Sequence, residues 1–215
     1  MALISYLGGY LLIKSNHDEL DAEVNSRNGL ILQKIDGGYT VSGLGQNETA
    51  TEIVIPSSYK GEKIIAIEKN VFKNCSSITS VTISNNLTQI GESAFENCSS
   101  LTTLKIGTGL TSIGSYAFRG TKLKNVYFSD INEWVQINGI SNITSYGASY
   151  KDLYLNDVLV TEVNIDKATS VNPRAFYNCT NVTTIALGTQ LKKIDEYAFS
   201  GCQIKNIYYA GDINE

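Results

Sequence analysis

Five phenylalanines, Phe72, Phe95, Phe118, Phe176 and Phe199, set the strongest constraint on what this chain can fold into. The first three, and then the last two, follow one another at intervals of 23 residues. A fixed period of that length describes a stack of similar coils, not a globule built around one centre, and it outranks local propensity. The same phrase recurs around each ring: Val81-Thr82-Ile83, then Ile90-Gly91-Glu92-Ser93-Ala94-Phe95-Glu96-Asn97-Cys98, then Leu104-Lys105-Ile106 and Ile113-Gly114-Ser115-Tyr116-Ala117-Phe118. The opening of each repeat alternates apolar and polar residues, which is the period-two pattern of a strand with one buried face. Strands are therefore expected at 51–55, 80–83, 103–106, 125–128, 162–165, 184–187 and 206–209. Stacked in parallel, their inward residues form an aliphatic ladder. Leu87, Ile90, Leu110, Ile113, Leu191 and Ile194 supply a second ladder, and the phenylalanines plug the far side.

Composition agrees with a β-rich solenoid and removes some functions. Only two prolines and thirteen tyrosines, among many Thr, Ser, Ile and Val, favour strand over helix. The net charge of −4 and pI near 5.1 leave no basic stripe to displace phosphate counterions, so nucleic acid is not an expected partner. Cys75, Cys98, Cys179 and Cys202 each stand three residues after a repeat Phe. Stacking would bring Cys75 and Cys98 about 5 Å apart, a span a disulfide can bridge. Thr121 holds the same slot, however, which points to small buried side chains and free thiols. With no C-x-x-C pair and one histidine, His17, outside the repeats, no metal site is expected.

A longer unit overlies the short one. Phe95, Phe118 and Val126 recur 81 residues later as Phe176, Phe199 and Ile207, and Tyr127–Trp134 reappears as Tyr208–Glu215 without its tryptophan. The chain thus reads as part of a longer tandem array, with a last strand near Ile207 that is either weakly protected or covered by edge-to-edge self-association with another copy. Between Phe118 and Phe176 lies an insertion, 129–159. Ile131, Trp134 and Val135 have the spacing of a short helix, and 152–160 reads as a hairpin around Asn156-Asp157. Residues 29–49 read as a second hairpin, around Asp36-Gly37-Gly38, whose expected task is to cap the first repeat. The repeats proper then occupy 50–128 and 160–215. Residues 1–28 remain unassigned; the apolar stretch 2–13 is too short to span a bilayer, and either packs on the end of the solenoid or belongs to a longer chain.

The segments Ile90-Gly91…Ala94-Phe95…Asn97-Cys98-Ser99-Ser100-Leu101-Thr102 and Ile194…Ala198-Phe199-Ser200-Gly201-Cys202 resemble the repeat of the BspA-like leucine-rich repeats, a family of bacterial and protist surface proteins. Asn132-Glu133-Trp134 followed by Leu153-Tyr154-Leu155-Asn156 is similar to an insertion found in its members. The resemblance runs from about residue 29 to the end, departing at Thr121 and at one-residue contractions before Val126 and Ile207. It implies an α/β repeat fold: a β-rich leucine-rich-repeat solenoid of parallel strands with an N-terminal cap hairpin and one inserted helix-plus-hairpin. It also implies a secreted or cell-surface bacterial protein that adheres to host tissue, matrix or other cells, without catalytic residues or cofactors.

The residues themselves assemble no catalytic set. His17 has no nucleophile at motif spacing, the cysteines sit in a buried slot, and Gly107-Thr108-Gly109 is a strand-to-strand turn without the Lys-Ser/Thr of a phosphate loop. The Asn-Cys-Ser and Asn-Cys-Thr sequons restate the repeat, and Arg119-Gly120-Thr121 lacks the acid of an integrin tripeptide. A binding surface is a better reading. Across the repeats the outward strand positions are Val54, Thr82, Lys105, Tyr127, Asn164, Ala186 and Tyr208: small, polar and weakly charged, with two tyrosines that suit protein or sugar partners. The sole tryptophan, Trp134, with Tyr146, Tyr150 and Tyr154 nearby, is the place to look for a carbohydrate platform, although its helical spacing also suits core packing. The leading function is a non-enzymatic adhesion module that recognises a protein or glycan on its sheet face. The alternatives are a carbohydrate-binding module of a larger polysaccharide-handling enzyme, and a structural spacer.

Overall fold

Each repeat spends its apolar residues on two short strands and one turn, and the computed structural model shows how these stack. It describes residues 29–45, 50–146 and 151–211, together with the backbone strands at 3–7, 10–14 and 23–25. In chain order, β1 (Leu3–Leu7), β2 (Tyr10–Lys14) and β3 (Glu23–Asn25) precede the hairpin β4 (Leu30–Ile35) and β5 (Gly38–Leu44). The first coils carry β6 (Glu52–Ile55), β7 (Ser58–Tyr59), β8 (Glu62–Ile67), β9 (Ser80–Ile83), β10 (Gln89–Ile90), β11 (Thr103–Lys105), β12 (Ser112–Ile113) and β13 (Asn125–Phe128). After α1 (Ile131–Trp134), α2 (Ser141–Thr144), β14 (Asp152–Leu155) and β15 (Val158–Leu159) come β16 (Glu162–Ile165), β17 (Ser170–Val171), β18 (Thr184–Leu187), β19 (Lys193–Ile194) and β20 (Asn206–Tyr209).

The longer strands of each coil pair in parallel as β6-β9-β11-β13-β14, and the short ones as β8-β10-β12. The register places Ile53, Val81, Leu104, Val126 and Leu153 in one line, all at most 2% exposed. Ile67, Ile90 and Ile113 line up in the second sheet, and Leu87 and Leu110 are buried with them. The turns stack as well. Phe72 N–H donates to Ala94 O and Phe95 N–H to Ala117 O, each at 2.8 Å, so the rings of Phe72, Phe95 and Phe118 lie 4.9 and 5.2 Å apart and within 10° of parallel. Phe176 and Phe199 repeat this at 5.1 Å. All four cysteines are free thiols, in a slot defined by a hydrogen bond. Cys98 Sγ donates to Phe72 O and Cys202 Sγ to Phe176 O, one coil back, whereas Thr121 Oγ1 donates to Phe118 O of its own coil. Burial pushes the Cys98 thiol up to about 12 and that of Cys202 to about 11.

At one corner of the turn asparagine gives way to glycine in the third coil. Asn74 and Asn97 occupy a left-handed corner two residues after the Phe, and their side chains bond at 3.0 Å. In the next coil that corner is Gly120, where a Cβ would stand 2.4 Å from Asn97 Oδ1.

Two details go beyond the sequence expectation. The cap hairpin joins the short-strand sheet: β5 runs parallel to β8, and β1–β3 extend the same sheet by antiparallel pairing onto β4. It does not pair with β6, the first strand of the long-strand sheet. The helix and hairpin of the insertion are both present, but they are threaded into the solenoid and not hung outside it. Asn138 bridges Ser112 in parallel, Asn142 Oδ1 takes the Tyr116 N–H that a following coil's carbonyl would otherwise take, and β14 is a fifth rung on β13. The cause is the rule that strand and turn donors do not go unpaired inside a protein. Asn156 and Asp157, with φ of 50° and 64°, then turn the chain back into β15, which ends this sheet; β16-β18-β20 and β17-β19 form a second block.

Candidate functional site

Because alternate residues face opposite sides of a strand, the register that buries the aliphatic ladder also fixes an outer row: Val54, Thr82, Lys105, Tyr127 and Tyr154. Tyr127 and Tyr154 stack with centroids 4.5 Å apart and planes 12° from parallel. On the other side of Tyr127, Lys105 Nζ lies 5.2 Å from the ring centroid. A parallel row, Glu52, Ser80, Thr103, Asn125 and Asp152, flanks it. There Asp152 accepts from Asn181 Nδ2 at 2.7 Å and lies 3.7 Å from Lys124 Nζ, tying the face to the second block. Burial, and then the carboxylate of Asp152, hold the Tyr154 phenol above its ordinary range.

Beside the row lies a shallow groove of about 350 Å³, lined by Thr82, Asn85, Lys105, Tyr127, Ser129, Asn156 and Asp157 among others. Asn85 Oδ1 accepts from Thr108 N–H at 3.2 Å and so fixes the turn that forms one wall. Neither Lys105 nor Asp157 has an ion-pair partner among the described residues, so the groove carries an uncommitted cation and an uncommitted anion. Past the groove, Val158 is 69% and Leu159 is 38% exposed, an apolar margin next to Tyr154.

Thr82, Lys105 and Tyr127 are thus brought together, as their strand positions imply. Asn164, Ala186 and Tyr208 form the equivalent row in the second block, beside a depression of about 220 Å³. Trp134 is in neither place. Its ring is 1% exposed, stacks on Phe128 at 4.7 Å, and donates from Nε1 to Ala175 O at 3.1 Å. No face is left for a sugar, so of the two roles its spacing allowed Trp134 takes core packing, and a carbohydrate platform on this ring is ruled out. Tyr146 is half-buried, Tyr150 and His17 lie outside the described residues, and Tyr154 stands against Tyr127. The signal for Tyr154 was legible, since Asp152–Leu155 repeats the alternation of Asn125–Phe128. Asn85, Asn156 and Asp157 reach the groove only through their turns, which carry no such signal.

The Asp-Ile-Asn-Glu-Trp run is a joint. Asp130 caps α1 by accepting from Asn132 and Glu133 N–H at 2.7 and 3.1 Å. Asn132 Oδ1 accepts from Lys167 and Ala168 N–H at 3.0 Å each, and its Nδ2 donates to Asp166 at 2.9 Å. The joint presses the two blocks together behind the face. No described helix is long and apolar enough to cross a membrane.

No curated protein matches the chain in sequence at a significant level. Among solved structures, it is similar to a leucine-rich repeat protein of T. pallidum, with 17% identity and a TM-score of 0.51 over 84% of this chain and 79% of that one. A leucine-rich cell surface protein of Faecalibacterium prausnitzii is 18% identical over 98% of this chain and 55% of that one, with a TM-score of 0.45. A leucine-rich repeat protein of Bacteroides ovatus is 23% identical over 81% and 49%, at 0.43. The first of these supports the solenoid fold; the chain spans about half the length of the other two. The profile of the BspA type leucine-rich repeat region matches residues 46–147 and 148–215 in six copies, covering the coils, the joint and the outer row. This chain belongs to the BspA-type leucine-rich repeat family.

Proposed function

We propose that the chain is a non-enzymatic recognition module of a bacterial surface protein, and that it binds a partner protein through the sheet face around Tyr127 and Tyr154. The observation that carries this reading is how the aromatic faces are used. Sugar recognition by stacking needs an open ring face. Here one face of Tyr127 is covered by Tyr154 and the other by Lys105, so the central ring of the row offers its edge and hydroxyl. Rigid tyrosine edges with an adjacent apolar margin at Val158 and Leu159 suit a protein surface, where Tyr dominates the binding energy at low entropic cost. The surface location rests on the resemblance of the repeats to a family of surface proteins.

The test is a binding screen against matrix and cell-surface proteins run beside a glycan array. Tyr127→Ala and Lys105→Glu are expected to weaken a protein interaction by at least about ten-fold each. A glycan hit lost in Tyr127→Ala, with no protein bound, would overturn the reading in favour of a carbohydrate module. Silence on both would favour a spacer.

A further inference from the structure

The turn before each phenylalanine holds the residue two places ahead of it in the left-handed region: φ is 63° at Asn70, 53° at Ser93, 60° at Tyr116, 60° at Arg174 and 57° at Tyr197. Asparagine tolerates this conformation well, while bulky side chains are disfavoured there. The turn therefore accounts for Asn70 but gives no reason for Tyr116, Arg174 or Tyr197. Tyr116 and Tyr197 are also 45% and 56% exposed, and Arg174 beside them is half-buried. Arg174 is the centre of the arrangement. Its guanidinium carbon lies 5.3 Å from the ring centroid of Tyr197, which comes from the next coil, and 5.7 Å from that of Tyr177. In a chain with 21 acidic residues, Arg174 nevertheless forms no ion pair among the described residues.

We infer that Arg174, with the rings of Tyr177 and Tyr197 beside it, is a second docking point on the turn edge, which takes one isolated carboxylate of a partner protein. Two rings fix the orientation of the guanidinium and leave its N–H donors uncommitted. A planar fork of donors matches one carboxylate with two parallel hydrogen bonds. Arg and Tyr together are the residue types that concentrate binding energy at protein interfaces. The surroundings disfavour a polyanion such as a sulfated glycan, because Glu196 belongs to the same turn as Tyr197, Lys193 is paired with Asp195, and the chain as a whole is negative. This inference is independent of the sheet face.

The test is NMR titration of isotope-labelled protein with a capped Gly/Ser peptide carrying one central Glu, with its Gln counterpart, and with a heparin oligosaccharide. The Glu peptide is expected to move the Arg174 Nε–H resonance saturably, with Kd on the order of 1 mM, and the Gln peptide to bind about ten-fold more weakly or less. Arg174→Lys, which keeps the charge and loses the fork, is expected to weaken the Glu peptide about ten-fold, with an unchanged thermal melt. Lys105→Gln is expected to leave this binding intact, which separates it from the sheet face. Equal response to Glu and Gln peptides, unaltered affinity in Arg174→Lys, or tighter binding of heparin than of the Glu peptide would each overturn the inference.

Discussion

Lys151 → Met should change how stability depends on pH, in a direction that the burial of the ammonium dictates. Lys151 is 1% exposed, and burial holds its ammonium down to about 8, from an ordinary 10.5. Below pH 8 the folded and unfolded chains are both protonated, and folding bears the full cost of a charge removed from water. Between pH 8 and 10.5 the unfolded chain binds more protons than the folded one, so stability rises with pH; above 10.5 the cost has gone. At about 1.4 kcal/mol per pH unit, the full window is worth about 3 kcal/mol, most of it recovered between pH 7 and pH 10. The thiols act in the opposite sense. Cys98, Cys202 and Cys179 are raised above their ordinary 9.0, so the folded chain keeps protons that the unfolded chain has lost, and stability falls above pH 9. The wild type should therefore be most stable near pH 9. In the difference between the variant and the wild type the Cys98 and Cys202 contributions cancel, and the lysine remains. Urea titrations followed by the fluorescence of the buried Trp134, from pH 7 to pH 10, measure it. The variant's advantage over the wild type should shrink by about 2–3 kcal/mol across that range. A difference constant to within about 0.5 kcal/mol would show that Lys151 is not desolvated in the folded state.

Two further expectations concern the stack and the joint. Phe95→Ala removes a fully buried ring stacked on both sides and should cost about 4–5 kcal/mol, whereas Phe199→Ala, a partly buried ring with one ring partner, should cost about half as much; equal costs in urea unfolding would contradict the stacking argument. Asn132→Ala removes three hydrogen bonds between the blocks and should cost about 2–3 kcal/mol. Hydrogen exchange should then quicken in β16 and β18 before β9 and β11, and uniform acceleration would argue against a joint.

The outer row shows what was legible before any coordinates. Thr82, Lys105 and Tyr127 could be aligned by counting, because a 23-residue period and a two-residue alternation fix the face of each residue without knowledge of its neighbours. The same counting predicted the long-strand ladder, the phenylalanines plugging the far side and, in the second ladder, the burial of Leu87, Ile90, Leu110 and Ile113, whereas Ile194 of that ladder is 45% exposed. Trp134 could not be placed that way. Whether its ring faced a ligand or the core depended on Phe128 and Ala175, one from the strand just before its helix and the other from the next repeat unit. The alternation of Asp152–Leu155 pointed to Tyr154, but its stack on Tyr127 was hidden, since that needs the hairpin arm to serve as a rung.

The sequence by itself determined the coil: its length, the residues that point inward, and the family. These follow from short-range periodicity, in which each residue's environment repeats that of a residue one coil away. Tertiary structure alone decided the closing of the short-strand sheet by the cap hairpin, the burial of Trp134, the groove between Lys105 and Asp157, and the clamp around Arg174. Each of these brings together segments that are not related by the repeat, and there the partner of a side chain is set by three-dimensional packing and the need to satisfy buried donors, which no period encodes.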